Sequence, residues 1–361
     1  MVYILIFLLL IILTVLSEVK TSNTLELIFV CVIGTTLLLL AGLRGNIEAD
    51  YLNYKDIFQN SEYGYSVGLN IEPGYFYLNK LFQLLHLGFP ALVFFVAMLS
   101  IIPKIYFFKK YAPNFGFSLL AYFAAIYFLF DFIQVRQAIT MSVFMLCLPF
   151  IYEKKFWPYC LALLAAATIH ISAILLIPGY FVFNRKYDVR WMYAIMVVCG
   201  IVSVLQYRVP IVEMLLKSFP VPGFTADKIA YYSASTEFAP LSLKQLVLGF
   251  CFIFIRDKVN EDTDEKRKMF NVLVNLFVIG IFIATLLNGL AELSFRIKWY
   301  FFWTEVVLVA YLVKYVCYGR FTLVLIAYGL LILVYGYMLF SLLTELASRG
   351  DYIFPYRLFF E

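Results

Sequence analysis

Apolar residues run through this chain in long blocks, without the narrow stripe of a surface helix or the strict alternation of a half-exposed strand. The blocks begin near Val2, Leu25, Leu87, Phe115, Arg136, Trp157, Ile171, Trp191, Leu241, Phe270, Lys298 and Thr322. Each approaches the roughly 20 residues a helix needs to cross a hydrocarbon core about 30 Å thick, and charged or turn-forming clusters separate them. Lipid offers the backbone no hydrogen bonds, so a crossing segment is a helix or part of a closed barrel, and continuous apolar runs are not a barrel's alternation. The pattern predicts an all-α fold, a polytopic integral membrane helical bundle of about twelve transmembrane helices. It forms one membrane domain over residues 1–361, with a long extracytoplasmic first loop. The stretch from Trp157 to Phe183 is too long for one straight crossing and short for two at about 1.5 Å per residue. A tight hairpin or a broken helix with His170 near its turn is expected there.

Composition sharpens this picture. Of 361 residues, 64% are hydrophobic and 14% charged, against roughly 25% charged in soluble domains, which excludes a water-soluble fold. The net charge of +5 is spread over short loops and forms no base-reading stripe, so no nucleic-acid partner is expected. Lys and Arg instead set orientation. Lys104, Lys109 and Lys110, then Lys154 and Lys155, then Arg185, Lys186 and Arg190, then the run Glu261 to Lys268, mark cytoplasmic loops. The segments 44–85 and 207–240, together with Asp131 to Arg136, Glu292 to Arg296 and the C-terminal tail, then face outward. Cys31, Cys147, Cys160, Cys199, Cys251 and Cys317 lie in or beside apolar runs without metal-ligand or disulfide spacing, and read as small hydrophobes. Met1 to Leu16 lacks a basic n-region and a cleavage site, so it is taken as the first span.

The groups that can carry chemistry gather at the outer face. Gly42-Leu-Arg-Gly-Asn-Ile-Glu-Ala-Asp-Tyr sets Arg44 beside Glu48, Asp50 and Tyr51. Either Arg44 binds an anion while Glu48 or Asp50 takes a hydroxyl proton, or the segment is a solvated loop with a surface ion pair. Further along, Glu72-Pro-Gly-Tyr75 is a turn into an interfacial helix with tyrosines in the headgroup belt, or a sugar-binding platform. Arg136, followed by Gln137, opens an apolar block from the outer side, where helix N–H groups and a guanidinium both suit phosphate. Either Asp131 neutralises it or a ligand diphosphate does. His170 lies in Ala-Ala-Thr-Ile-His-Ile-Ser-Ala. An ionisable group at that depth is a functional candidate, unless Thr168, Ser172 or a backbone carbonyl satisfies it; His86, in a Leu-rich stretch, reads as structural. Arg296 in Glu-Leu-Ser-Phe-Arg repeats the arginine-at-a-helix-start theme, and Glu305 either pairs inside the bundle or lines a path. Asp262-Thr-Asp264 has a spacing known from metal-dependent transferases, but its mixed-charge surroundings read as an exposed linker. Walker and dinucleotide glycine loops and zinc-spaced histidines are missing from the sequence, and neither a cofactor nor a metal is expected.

Taken in order, Gly42-Leu-Arg44 with Asp50-Tyr51 and Tyr54, Glu72-Pro-Gly-Tyr75, Val135-Arg136-Gln137-Ala138-Ile139 and Ile169-His170-Ile-Ser172-Ala173 resemble the landmarks of the EpsG family of Wzy-type bacterial polysaccharide polymerases. The resemblance is clearest from about Leu40 to Phe183. Ser294-Phe295-Arg296 and Tyr352-Ile-Phe-Pro-Tyr356 extend it more thinly. It implies a multi-pass protein of the bacterial inner membrane with a periplasmic active face. Its substrates would be undecaprenyl-diphosphate-linked glycan donor and acceptor, bound at the lipid bilayer, with room for a polysaccharide chain-length regulator as a partner. In that picture Arg136 and Arg296 hold the donor diphosphate, His170 or Asp50 assists the acceptor hydroxyl, and Arg44, Glu72, Tyr51, Tyr75 and Gln137 bind sugar or order the outer loop.

Three other activities share this topology. A transferase using a polyprenyl-phosphate sugar would take Glu48 or Asp50 as its acidic group, often with a metal. An O-antigen ligase would keep the donor and change the acceptor. A flippase would line a central cavity with charge and show repeated halves, whereas the charges here cluster at one face.

Overall fold

The computed structural model describes residues 2–19, 23–63, 71–210, 214, 238–239, 241–259, 261, 263–318, 320–349 and 356–360. Most of the 207–240 loop, residues 64–70 of the first loop, Asp262 and Tyr352 lie outside them. Among the described residues regular structure is helical, and the one strand-like feature is an isolated bridge between Arg44 and Leu358. Six helices there are long and apolar enough to cross a membrane, at Thr24–Gly42, Phe89–Tyr111, Phe115–Ile133, Val135–Tyr152, Asp264–Leu286 and Phe321–Ser348. A seventh span follows if Ala291–Phe302 and Glu305–Val316, bent by 45°, form one crossing. The protein is thus polytopic and helical. The count differs from the expected twelve because several apolar blocks make shorter helices, among them Val2–Glu18, Phe156–Ala167 and Val189–Val204.

The chain forms two compact units, one of Met1–Pro178 with Val316–Glu361 and the other of Gly179–Tyr315. The first contains α1 (Val2–Glu18), α2 (Asn23–Gly42), α3 (Tyr51–Asn60), α4 (Pro73–Leu84), α5 (Phe89–Tyr111), α6 (Phe115–Tyr122), α7 (Val135–Tyr152) and α8 (Phe156–Ala167). After α6 the chain widens into a π-helix over Phe123–Ile133, where the Gln134 N–H donates to the Leu129 carbonyl five residues back at 3.0 Å. This segment is the heart of the unit, with Tyr122, Phe123, Tyr127 and Phe128 fully buried and packed ring on ring. Helix α1 lies close against α6 because Gly116 faces the backbone of Leu13 and Thr14, where a Cβ would stand 2.5 Å from Thr14 N.

Two charges sit inside this bundle. Lys104, on α5, donates to Asp131 at 2.6 Å, and both side chains are fully buried. Ser100 also bonds Asp131, and the Tyr122 hydroxyl donates to its other oxygen at 2.7 Å. Two sequence expectations change here. Lys104 is not a loop cation marking the cytoplasmic side, and Asp131 is not the counter-charge of Arg136. The physical reason is common to both: a buried charge needs a partner and further hydrogen bonds, and each supplies the other's.

The first loop is folded, not solvated. Helices α3 and α4 present Tyr51, Tyr54 and Phe58, and Tyr75, Phe76 and Phe82, to the start of α5 and to Val135 and Ile139 of α7. The i, i+3, i+7 spacing in α3 puts its three aromatics on one face. Ser61 closes the pair by donating to Gln83 Oε1 at 3.0 Å.

The second unit contains α9 (Val189–Val204), α10 (Leu243–Arg256), α11 (Asp264–Leu286), α12 (Ala291–Phe302) and most of α13 (Glu305–Val316); α14 (Phe321–Ser348) returns to the first. Helix α11 is its centre and packs on α9, α10 and α12. Ser242 and Gln245 form a capping box at the start of α10, and Lys244 pairs with Glu305 at 2.8 Å, so Glu305 is satisfied within the fold. Thr263 caps α11 and Asp264 pairs with Lys268 at 2.6 Å, which makes that charged run a helix start and not a linker.

Candidate functional site

The Glu-Pro-Gly-Tyr motif opens α4. Proline suits the first helical position, where no N–H is needed, and Gly74 allows the next residue to lie flat on the end of α8. There the Thr168 carbonyl accepts from Gly74 N–H at 2.8 Å and from Tyr75 N–H at 3.3 Å, satisfying two of the donors that a helix start leaves unmet. A Cβ on Gly74 would stand 2.7 Å from that carbonyl oxygen. Helix α8 ends at Ala167, and the break predicted around His170 is present: a short turn, then a 3₁₀ segment from Ile171 to Phe181. The docking of α4 on this break brings the N-cap residue Glu72 up to the histidine.

Glu72 does not cap its own helix. Its carboxylate accepts from Arg136 Nη1 at 2.5 Å through one oxygen. Through the other it meets His170 Nδ1 at 3.0 Å and the Ile171 N–H at 3.1 Å. The Arg136 guanidinium lies 5.8 Å from the ring centres of both Tyr54 and Tyr75, within cation–π range. Side-chain exposure is 24% for Arg136, 16% for Glu72 and 17% for His170, so the cluster is sheltered yet reachable. The Nε of Arg136 is buried without a partner, leaving a donor unmet.

Burial by itself disfavours the Glu72 carboxylate, but the His170 hydrogen bond, the charges of Arg136 and His170 and the Ile171 N–H outweigh it and hold its pKa at about 2. Glu72 is therefore an anion at neutral pH and a poor proton acceptor. Burial raises the Tyr54 phenol, and Arg136 only partly opposes it.

The structure thus gathers Arg136, His170, Glu72 and Tyr75 from the sequence candidates, and adds Tyr54. The partner of His170 is a carboxylate and not Thr168, Ser172 or a carbonyl, while Thr168 serves α4. Arg44 has a different task. It is 3% exposed, donates to the carbonyls of Ala41 at 2.6 Å and Phe132 at 2.7 Å and faces Glu48 at 3.7 Å. Phe132 lies in the last turn of the π-helix, and Arg44 satisfies a carbonyl that such an end leaves open. The expected solvated surface pair is thus a buried clamp that ties the loop to the bundle. A narrow cleft shared by Arg44, Glu48, Tyr51, Tyr54, Tyr75 and Val135 runs behind the aromatic shelf.

Asp50 precedes α3, half-buried and without a side-chain capping bond. Tyr51 packs edge-on against Phe89 with ring centres 5.2 Å apart, and Gln137 is buried in α7. Arg296 lies exposed on α12 in the second unit. Among the described residues, no group of three or more His, Cys, Asp or Glu side chains is arranged to hold a metal ion.

Neither a curated relative nor a solved structure matches this chain. The pattern of one family does, over residues 27–358, a range that contains every residue of the cluster and nearly the whole sequence. This bears out the resemblance carried by the ordered landmarks: the chain belongs to the EpsG family, which is associated with polysaccharide polymerase activity.

Proposed function

We propose that this protein joins lipid-linked oligosaccharide repeat units at the outer face of the bacterial inner membrane, using the Glu72, Arg136 and His170 cluster as its reaction site. The single observation that carries this reading is the carboxylate of Glu72 shared between Arg136 and His170, beside an aromatic shelf and at the start of a long apolar helix. Sugars stack on aromatic faces, phosphates favour helix N-termini and guanidinium groups, and a lipid carrier brings its diphosphate to this depth.

In the reaction, the oxygen of an acceptor sugar hydroxyl bonds to the anomeric carbon of the donor, whose bond to the diphosphate oxygen breaks. The hydroxyl proton passes to Nε2 of His170, and undecaprenyl diphosphate leaves with the bonding electron pair. Glu72 accepts from Nδ1–H, fixing the tautomer that keeps Nε2 basic, and favours the imidazolium that forms. Arg136, held by Glu72 through Nη1 and hydrogen-bonded to Tyr54, offers its positive charge, with the N-terminus of α7, to the departing diphosphate; such fixed groups act on charge as it develops. Arg44, clamped in the fold, shapes the loop.

The test is the full protein in proteoliposomes supplied with an undecaprenyl-diphosphate-linked repeat unit, with products sized on a gel. A ladder of repeats that release undecaprenyl diphosphate supports polymerisation. Movement of the intact lipid-linked unit between leaflets without a ladder identifies a flippase and overturns the reading.

A further inference from the structure

The second unit carries a cavity that the polymerase reading does not use. It has a volume of about 580 Å³ and opens where the segment before α9, the end of α10 and the first turns of α11 meet. Arg185, Lys186, Arg256, Arg267 and Lys268 line it, and Asp257 is the one carboxylate among its described lining residues. The same loops carry a Lys and Arg excess of the kind that marks cytoplasmic loops.

A positive-inside bias explains cations near this face, but not their convergence on a walled cavity nor its polar floor. Arg267, Asn271 and Asn275 recur every four residues and so share one face of α11. Asn275 is 3% exposed; its Nδ2 donates to the carbonyls of Phe183 at 2.8 Å and Arg185 at 2.9 Å, which fixes the amide with Oδ1 as the remaining group. That Oδ1 and the Oδ1 of Asn271 are both buried and lack a hydrogen-bond donor. Buried acceptors of this kind are normally satisfied, and they ask for hydroxyl or N–H donors. Arg256, 5% exposed at its side chain, meets Asp257 at 3.1 Å, and Asp264, outside the lining, engages both Arg267 and Lys268 at 2.6 Å. Cationic charge still exceeds the anionic around the opening. The volume suits a small organic ligand.

We infer that this cavity binds a phosphate ester that also carries hydroxyl groups, with the phosphate among Arg185, Lys186, Arg256, Arg267 and Lys268 and the hydroxyls donating to Asn271 and Asn275. A soluble sugar phosphate and a phosphoglycerol lipid headgroup share that chemistry.

The test uses the full-length protein in nanodiscs and follows its thermal unfolding. In zwitterionic lipid, glucose 1-phosphate should stabilise at concentrations at least tenfold below inorganic phosphate, while glucose has no effect, since stabilisation follows ligand concentration over Kd. Asn271→Leu should erase the advantage of the sugar ester over phosphate. Lys186→Ala with Arg267→Ala, both surface changes, should remove the response to each, and Arg267→Lys should retain it. If phosphatidylglycerol in the nanodisc stabilises wild type but not the double variant, and blocks glucose 1-phosphate, the site stands and its ligand is a lipid headgroup. No stabilisation by phosphate compounds in either membrane, or equal stabilisation of wild type and the double variant, overturns the proposal and leaves the cations as topology signals.

Discussion

Glu72 and Arg136, 64 residues apart in sequence, meet in an ion pair of 2.5 Å at the junction of a folded first loop and a long apolar helix. The pair gains its chemical interest from a third party. His170, 98 residues from Glu72, bonds the opposite carboxylate oxygen, so one side chain sets the position of both a cation and an imidazole.

Arg136→Lys is expected to fall well short of wild type. Lysine can still pair with Glu72, but it lacks the planar fork and stacks poorly on Tyr54 and Tyr75. Glycan ladders in a strain lacking the gene should shorten to single repeats or a few, with polymerisation about 100-fold slower. Normal ladders from Arg136→Lys at wild-type abundance would leave the pair a structural role only.

Gly74→Ala should mimic the loss of Glu72 without touching a charge. The new methyl meets Thr168, whose carbonyl oxygen lies 2.7 Å from the Cβ position, and pushes the start of α4 off the end of α8. Polymerisation should drop at least tenfold, because an ångström-scale displacement is costly in a positioned site. Thr168→Ala alone should be mild, since the hydrogen bonds from α4 go to its carbonyl.

The cluster was legible in the sequence only in part. Arg136, His170, Glu72 and Tyr75 stood out as polar or aromatic residues in apolar surroundings, and their order pointed to the EpsG pattern. Which counter-charge each residue takes was not legible, because Asp131 is five residues from Arg136 in sequence yet its carboxylate faces the other way along a π-helix, toward Lys104. Lys104 misled for a related reason: near the end of an apolar run, a lysine that marks a loop and one buried against an aspartate look alike. The break near His170 was legible from the length of Trp157 to Phe183, but a count by apolar blocks exceeds the long helices among the described residues, because blocks such as Val2–Glu18 and Val189–Val204 make shorter helices. Tyr54 was visible as a family landmark, but its place beneath Arg136 depends on the packing of α3 against α4.

Stability should respond to acid through Glu72. Its carboxyl has an ordinary value of 4.5 and is held at about 2 in the folded chain. The folded value is the lower one, so its contribution, about 3 kcal/mol, is complete above pH 4.5 and fades as pH falls toward 2. Thermal unfolding in detergent should show Glu72→Gln less stable than wild type at pH 6, with the gap closing between pH 4.5 and 2. A gap that stays constant across that range would contradict the ionised state assigned to Glu72.

Lys104 and Asp131 are expected to matter for folding and not for chemistry. Either Lys104→Met or Asp131→Asn alone leaves a buried group uncompensated, at a cost of about 3–5 kcal/mol, and should deplete the protein from membranes. Lys104→Met combined with Asp131→Leu should recover much of the abundance and, with it, polymerisation. Full abundance of the single variants with lost ladders would instead make the pair part of the reaction.

The most direct measurement of the central claim is ladder formation by Glu72→Gln in a strain lacking the gene, at membrane abundance matched to wild type. Glutamine keeps the shape but removes the charge that binds Arg136 and favours the His170 imidazolium. A fall of about 100-fold or more in polymerisation, in the range of lost acid–base catalysis, is the predicted result. Ladders of wild-type length and rate from Glu72→Gln would contradict the assignment of this cluster as the reaction site.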